Sequence, residues 1–254
     1  TVGGPAFPIA LTSTSDVFAT PSESTLPAQT LVLDARVGGT WHANTGTNVP
    51  GISVGQSLGV DPKNVQLALA GKGPTVVRVP AGEFTFSQGA SWVGKTYWIG
   101  TVDGNGDPTT IFTGSTGSSI LFSNNGTDAN ADSWGKDIRI GPTDAQFIAN
   151  GITYQQGGRA ISCGGAGRVT LINTVIRNVA EVGLYGNTSN EWISRRGLQV
   201  WVYDSEIAGC GTNAQEHNIY FHCGTLAFIR SITRDTRGSH ALKADCEKLI
   251  VLDS

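Results

Sequence analysis

Two segments near the end of the chain carry a cluster of residues with acid–base chemistry, and they repeat each other. Residues 216–223 align with residues 239–246 at a spacing of 23 residues (240 − 217 = 23). The candidate catalytic residues are Glu216, His217, His240 and Lys243. Carboxylate, imidazole and amine groups transfer protons or stabilise charge, as acid–base catalysis and β-elimination from a uronic acid require. The alternative is a histidine pair hydrogen-bonded at a bend of the chain, with a structural role.

A second carboxylate, Glu181, lies 35 residues before Glu216 (216 − 181 = 35). If the two residues occupy adjacent turns of a repeat, their carboxylates repel each other and can act as an acid and a base at the same pH. A separation of ~5–5.5 Å would suit a retaining glycosidase. The alternative is that the extra residues between them hold the two groups apart.

The repeat also predicts the fold. Ile219 and Leu242 are 23 residues apart, as are Ile161 and Leu184 (242 − 219 = 23; 184 − 161 = 23). A second series of hydroxyl residues has spacings of 31, 26 and 23: Thr174, Ser205, Ser231 and Ser254. Repeats of roughly 20–50 residues are typical of solenoids, in which each unit buries its apolar face against its neighbours. We predict an all-β, single-stranded parallel β-helix with three sheets and coils of about 23 residues over residues 31–254.

Side chains alternate between the two faces of a strand, so the repeat also predicts orientation. The isoleucines and leucines of the repeat are expected to point inward. The candidate substrate-binding residues are expected on an outer face: Glu181, Tyr185, Asn218, Tyr220 and His222. Rings with polar tips and repeated polar groups suit an extended polysaccharide. An ordinary solvated sheet face is the alternative.

The N-terminal third of the chain differs in composition from the repeats. Residues 1–30 are rich in Pro, Ser and Thr, which predicts an extended arm or linker. Residues 61–70 then begin with Asp61-Pro62 and place Val65 and Leu69 on one side, which predicts a short helix.

A short helix, a β-branched strand and Val79-Pro80-Ala81-Gly82-Glu83-Phe84 together resemble the entrance of a pectate-lyase-like β-helix. The repeated segments at 216–220 and 239–243 are similar to those of bacterial and phage-associated β-helix repeat proteins in that superfamily. The resemblance covers roughly residues 60–254, and it implies a right-handed coil whose N-terminal end is capped by the helix. The strand 200–205 has Ser205 where pectate lyases have a histidine, and no catalytic residue is transferred from those enzymes.

Composition restricts the partners. The formal net charge is −3, with 17 Lys and Arg against 20 Asp and Glu. The sequence has no basic patch of the kind that binds nucleic acid, so a nucleic-acid partner is not expected. No apolar run reaches the ~18–20 residues of a membrane span. Residues 249–252 read as an uncapped strand, so we expect further coils, a second copy or another chain to follow it. We expect an extracellular, cell-surface or virion location.

Two smaller patterns suggest ligands or cross-links. Asp103, Asn105 and Asp107 alternate as oxygen donors do in a calcium loop, although a simple turn is the alternative. No other cofactor is predicted. Cys223 and Cys246 lie one coil apart, where the strand spacing of ~4.8 Å permits either a disulfide or two stacked thiols.

These patterns predict a β-helix protein that binds polysaccharide and possesses the residue types of a polysaccharide lyase or glycoside hydrolase. The second hypothesis is a structural subunit of a phage tail-spike, surface fibre or filament, without catalytic activity.

Overall fold

The computed structural model describes residues 18–91, 95–114, 120–124, 132–150, 159–186, 197–212 and 216–254. A 3₁₀ turn, Glu23–Thr25, precedes the first strand. The helices and strands that follow are, in chain order, β1 (Thr30–Val32), β2 (Trp41–His42), β3 (Ser57–Gly59), α1 (Pro62–Ala68), β4 (Thr75–Arg78), β5 (Gly82–Phe86), β6 (Ala90–Ser91), β7 (Thr96–Ile99), β8 (Thr110–Gly114), β9 (Ile120–Asn124), β10 (Asp132–Lys136), β11 (Ile138–Ile140), α2 (Asp144–Asn150), β12 (Arg159–Cys163), β13 (Gly167–Ile172), β14 (Val175–Arg177), β15 (Val182–Gly186), β16 (Leu198–Tyr203), β17 (Glu206–Ala208), β18 (Ile219–Ile229), β19 (Ile232–Arg234) and β20 (Leu242–Leu252).

Within the described residues, most strands belong to two long parallel sheets, and β2 pairs with β3 in a small antiparallel sheet. The longer parallel sheet changes direction at β18, because residues 219–221 pair with β15 and residues 225–229 pair with β16. We therefore name three sheets. Sheet A contains β1, β4, β7, β10, β13, β16 and the second halves of β18 and β20; sheet B contains β5, β8, β11, β14, β17 and β19; sheet C contains β6, β9, β12, β15 and the first halves of β18 and β20.

The chain passes through sheets A, B and C in turn. A strand therefore pairs with the strand that follows three positions later in the chain, as β4 does with β7 and β5 with β8. This mainly β, solenoid-like arrangement of long parallel sheets confirms the coarse prediction and is compatible with a parallel β-helix. The predicted register is also confirmed. Ile219 lies opposite Leu242, and Cys223 lies opposite Cys246.

The core lies between the three sheets. Ile161, Leu184 and Ile219 form one inward row, and each is fully buried. Burying a side chain of this size contributes ~1.5–3 kcal/mol, so the stacked rows supply much of the stability. At the other end, Trp41 packs against Phe84 with ring centroids 4.5 Å apart.

The corner between sheets A and B repeats from coil to coil. A residue with positive φ ends the strand of sheet A at Asp137, Asn173, Asp204, Arg230 and Asp253. Asn and Asp tolerate this left-handed conformation better than most residues do. The predicted hydroxyl series follows these corners: the backbone N–H groups of Thr174, Ser205 and Ser231 donate to the hydroxyl oxygens of Ser205, Ser231 and Ser254 at 2.9, 3.1 and 3.2 Å. The hydroxyls therefore tie each corner to the next coil.

The N-terminal arm is not a detached linker from Phe18 onward, because it lies on the outer face of sheet A. Phe18 stacks on Trp201 with centroids 6.5 Å apart. Glu23 forms ion pairs with Arg78 at 2.7 Å and Lys136 at 2.9 Å. Three aromatic residues on this face are buried, at 8%, 3% and 2% exposure: Tyr97, Trp134 and Tyr203. Residues 1–17 of the predicted arm lie outside the described residues.

The predicted short helix is present as α1. Its Val65 is fully buried in the main core, and the helix lies beside β3 and β6. Asn64 Oδ1 accepts from the backbone N–H of Asp61 at 3.0 Å, and the Asp61 carboxylate accepts from the N–H and hydroxyl of Ser87, each at 2.8 Å. The bonds to Ser87 fix the start of the helix against the turn between β5 and β6.

Candidate functional site

The candidate site lies on the outer face of sheet C. The register sets Ser162 opposite Tyr185, Tyr185 opposite Tyr220, and Tyr220 opposite Lys243. The residue before each of the first three is fully buried, and the row itself is half-buried or exposed. The alternation therefore confirms the predicted outward position of Tyr185, Tyr220 and Lys243. We call Ser162, Tyr185, Tyr220 and Lys243 the tyrosine row.

The rings of the tyrosine row face one another along the solenoid. Tyr185 and Tyr220 stack with centroids 5.7 Å apart and an interplanar angle of 17°. The Arg159 guanidinium carbon lies 3.7 Å from the centroid of Tyr185, and Lys243 Nζ lies 4.9 Å from that of Tyr220. These contacts occupy faces of both rings, so the rings are not the open flat platforms that the sequence suggested. The tyrosine row, together with Arg159, therefore brings two phenols and two cations onto this face.

His217 is in contact with both His240 and Tyr220, with ring centroids 5.2 Å apart in each case. Its Nδ1 accepts a hydrogen bond from the backbone N–H of His240 at 3.1 Å. In the neutral ring the proton is therefore on Nε2, which can donate but cannot accept. Burial lowers the pKa of His217, and the positive charges of Lys243 and His240 lower it further. His217 is thus a buried neutral histidine that links two coils, as the structural alternative predicted.

His222 has the opposite hydrogen-bond pattern. Its Nδ1 lies 3.2 Å from Oδ2 of Asp245, the residue opposite it on β20. An ionised carboxylate only accepts, so Nδ1 donates and Nε2 keeps its lone pair. The ring also meets Tyr220 edge-on, with centroids 4.8 Å apart. His222, predicted to bind substrate, is therefore the histidine of this face that is arranged to accept a proton.

The remaining candidate catalytic residues have distinct surroundings. His240 is exposed, and its Nδ1 lies 2.8 Å from the Ser239 hydroxyl. The Glu216 carboxylate accepts from the backbone N–H of Thr212 and, at 3.0 Å, from its hydroxyl. Its carboxylate is therefore engaged by Thr212.

The observed contacts of Glu181 and Glu216 direct their carboxylates to different partners. Its carboxylate lies 3.3 Å from Nε of Arg159, across the strand pair of β12 and β15. The ion pair turns Glu181 toward the Arg159 end of the tyrosine row, whereas the Glu216 carboxylate is held by Thr212. This geometry gives no support to the acid–base pair of a retaining glycosidase.

The predicted outward position of Asn218 is wrong. Asn218 is 0% exposed. Its Oδ1 accepts from the Cys210 N–H at 2.9 Å, and its Nδ2 donates to the Arg234 carbonyl at 2.7 Å and the Thr233 hydroxyl at 3.2 Å. Asn218 precedes the first residue of β18, so strand alternation does not apply to it. Its side chain ties the backbone at Cys210 to β19.

The calcium pattern forms a turn. Oδ1 of Asp103 accepts from the backbone N–H groups of Asn105 at 2.8 Å and Asp107 at 3.0 Å. An Asp side chain bonded to the backbone two residues on is the common way in which such turns close. Among the described residues, no group of three or more His, Cys, Asp or Glu side chains is placed to hold a metal ion.

The cysteines fall into two kinds. Cys163 and Cys210 are fully buried thiols, and burial raises the pKa of each to about 12, so neither is a nucleophile at neutral pH. Cys223 and Cys246 lie opposite each other on β18 and β20, which is the position that the predicted disulfide requires. The side chain of Cys223 lies outside the described part of the structure, and the disulfide stays a prediction.

Sequence reasoning missed Arg159 and Asp245 as members of the site. Asp245 had a signal, because it lies 23 residues after His222, the spacing that relates His217 to His240 (245 − 222 = 23). Arg159 had none, since the register sets it opposite Val182 and only the direction of its side chain brings it over Tyr185.

Comparison of the chain with models of known protein families, with curated proteins and with solved structures gave no match. In the part of the chain that the structure describes, no helix has the length and apolar character needed to cross a membrane.

Proposed function

We propose that this protein binds a polysaccharide along the tyrosine row on the outer face of sheet C. The observation that supports the proposal is the stack formed by Arg159, Tyr185, Tyr220 and Lys243, which runs across four neighbouring strands. Neighbouring strands repeat at ~4.8 Å, so the row presents hydroxyl and cationic groups at regular intervals. A linear polymer of repeated sugar units is the ligand that such a row suits.

The cations give the proposal a chemical direction. Lys243 is exposed, whereas Arg159 shares its charge with Glu181 at 3.3 Å. Lys243 is therefore the cation that a sugar carboxylate would meet on this face. We infer that the polymer carries carboxylate groups.

Isothermal titration calorimetry of the full chain with acidic and neutral polysaccharides tests this function. Replacing Lys243 with Gln should weaken the binding of an acidic polymer about 10- to 100-fold, since a hydrogen bond to a charged group contributes ~1.5–3 kcal/mol. The matched control is Lys248→Gln, which removes an exposed lysine of the same strand that lies opposite Thr225, beyond the tyrosine row. Equal losses in the two variants, or no binding of any polymer by the unmodified chain, would refute the proposal.

For the fold, we propose a right-handed, pectate-lyase-like β-helix whose N-terminal end is capped by α1. The supporting observations are the short helix before β4 and the strands that pair three places apart. An extracellular, cell-surface or virion location accords with a polysaccharide ligand. An experimental structure with left-handed coils would contradict the family proposal.

The second candidate function is that of a structural subunit in a tail-spike, surface fibre or filament. The observation that favours it is the apolar surface at β20. Leu249 and Val251 are 48% and 49% exposed, although their partners on β18, Leu226 and Phe228, are 0% and 2% exposed. A second copy or a further chain that covers this row would bury it. Sedimentation analysis that finds a monomer at all concentrations would exclude the homo-oligomer.

A further inference from the structure

Residues 18–26 of the arm, which we call the strap, lie across the outer face of sheet A and contact strands that are not neighbours. Glu23 pairs with Arg78 on β4 at 2.7 Å and with Lys136 on β10 at 2.9 Å. In the sheet, β7 lies between these two strands. In a solenoid each repeat contacts only its neighbours, so the stability is close to a sum of nearest-neighbour terms. The Glu23 contacts join coils that such a sum treats as independent.

Thr20 makes a second contact of this kind further along the solenoid. Its hydroxyl donates to Oδ2 of Asp204 at 2.8 Å and accepts from Nη2 of Arg230 at 2.5 Å. Arg230 also donates to both carboxylate oxygens of Asp204, from Nε at 2.7 Å and from Nη2 at 3.0 Å. Asp204 follows β16 and Arg230 follows β18, so one hydroxyl of the strap is bonded to two further coils.

The distance between the two contacts fits the sheet. Lys136 and Asp204 stand at the ends of β10 and β16, which are two strand spacings apart, or ~9.6 Å. Glu23 and Thr20 are three residues apart (23 − 20 = 3), and Ser22 between them has an extended backbone. Three extended residues span ~10 Å, so the strap has the length that places a carboxylate at one strand end and a hydroxyl at the other.

Arg230 has a backbone conformation that its residue type disfavours. The other corners between sheets A and B have Asp or Asn at the position of positive φ, where a short polar side chain is tolerated. Arg230 occupies the same position with φ 46°. Such a conformation persists where surrounding contacts determine it, and the contacts of Arg230 are those to Asp204 and Thr20. The residue type at this corner therefore suits the strap better than it suits the backbone.

Both ends of the strap are packed. Phe18 stacks on Trp201 of β16, with ring centroids 6.5 Å apart. Leu26 and Phe18 both pack against the buried cluster on the outer face of sheet A, which includes Tyr97 and Trp134. The strap is therefore held by apolar contacts at its two ends and by charged groups between them.

We propose that the strap is a lengthwise lock, which makes the coils from β4 to β18 open as one unit. The inference concerns how the solenoid is held together, and it does not depend on the polysaccharide function proposed above. With nearest-neighbour contacts alone, the coils that contain β16 and β18 separate from those of β4 and β10 at the weakest interface between them. The strap is anchored on both groups of coils, so that separation also breaks its contacts.

Hydrogen exchange of the full chain, followed by mass spectrometry, measures the opening of each strand. In the unmodified chain, the slowest amides of β4, β10 and β16 should exchange equally once their intrinsic chemical rates are corrected for, because one opening exposes them all. Thr20→Val keeps the size of the side chain and removes its hydrogen bonds. Amides throughout β16 and β18 should then exchange about 5- to 30-fold faster, a modest factor for a bond to charged groups because the contact is partly exposed. The amides of β4 should keep their rate.

Thr25→Val is the matched control. It makes the same substitution within the strap, but the Thr25 hydroxyl donates to the Ser22 carbonyl at 2.7 Å, which is a contact inside the strap itself. Exchange in β16 and β18 should therefore be unchanged in this variant.

Arg230→Asn separates the strap from the local preference of the backbone. Asn suits a positive φ, so the corner by itself predicts equal or slower exchange in β18. Loss of the strap contact predicts faster exchange, as in Thr20→Val. The two substitutions together should add little to either one, because both remove the same contact.

Several results would overturn the inference. Faster exchange confined to the amides next to Asp204 and Arg230 would show a local contact without coupling. Separate opening of β16 in the unmodified chain, or slower exchange in Arg230→Asn, would also contradict the lock. Protection that appears only at concentrations where sedimentation detects a dimer would place the strap on a second copy and would likewise exclude a lock within one chain.

Discussion

Asn218 offers a direct test of how this solenoid is held together, because the structure moves it from the predicted binding surface to the interior. It is fully buried, and its side chain bonds to the Cys210 N–H, the Arg234 carbonyl and the Thr233 hydroxyl. We expect Asn218→Ala to destabilise the protein strongly and to leave the recognition of polysaccharide by the folded protein unchanged.

The magnitude follows from the groups that lose their partners. Asn218→Ala leaves the N–H of Cys210, a fully buried residue, without the side-chain partner that the structure shows. The Arg234 carbonyl loses one donor but still accepts from the Gly209 N–H at 3.3 Å. An unsatisfied buried polar group costs ~1–3 kcal/mol, so we expect a loss in that range. The Thr233 hydroxyl adds little, because it also bonds to the Ala241 carbonyl at 3.2 Å. For a chain of this size, a loss of ~2 kcal/mol lowers Tm by roughly 4–8 °C.

Differential scanning calorimetry and urea unfolding measure the loss, and calorimetric titration at a temperature where the variant is folded measures binding. Asn105→Ala is the matched control, since it removes the same side chain at an exposed position and should change stability by less than ~0.5 kcal/mol. Equal stability of the two variants would refute the argument from buried hydrogen bonds. A stable Asn218→Ala protein with lost binding would return Asn218 to the binding site.

Two further predictions concern the corners and the arm. Ser205→Ala removes an acceptor 2.9 Å from a backbone N–H of the preceding coil and should cost ~1–3 kcal/mol in urea unfolding, whereas Ser205→Thr, which keeps the hydroxyl, should retain most of the stability. Burial by itself raises the pKa of Glu23, but hydrogen bonds from its two cationic partners more than offset this, and its pKa lies below the usual 4.5. At pH values above 4.5, the ionised Glu23 side chain therefore stabilises the docked arm. This stabilisation is lost as the pH falls through the lowered pKa. Limited proteolysis should show a protected arm at neutral pH and faster cleavage at acidic pH, and Glu23→Gln should abolish this difference; equal cleavage of the unmodified arm at both pH values would contradict the role of the ion pairs.

The 23-residue spacing was sufficient to predict strand register. Ile219 and Leu242 are paired as the repeat required, and the hydroxyl series at Ser205 and Ser231 proved to be a chain of hydrogen bonds between coils. Both are properties of a one-dimensional repeat, in which each coil meets its neighbour at a fixed offset along the chain. The inward and outward positions within strands were predictable for the same reason, since alternation has a period of two.

The arm and the bends were not predictable in this way. Phe18 lies on Trp201, and no local pattern relates residues so far apart in sequence. Asn218 stands one position before its strand, where alternation ends and the neighbouring loop decides which way a side chain points. Pro, Ser and Thr in the arm predict an extended segment, but composition does not report what such a segment packs against.

By itself the sequence determined the repeat, the mainly β architecture and the row on which Tyr185, Tyr220 and Lys243 stand. Only the tertiary structure decided what the histidines can do, because that depends on which nitrogen of each ring is already bonded. The backbone N–H of His240 occupies Nδ1 of His217, and the carboxylate of Asp245 occupies Nδ1 of His222. A spacing of 23 residues brings both pairs together, but the hydrogen bond at Nδ1 makes one neutral ring a buried donor and leaves the other ring an accessible lone pair.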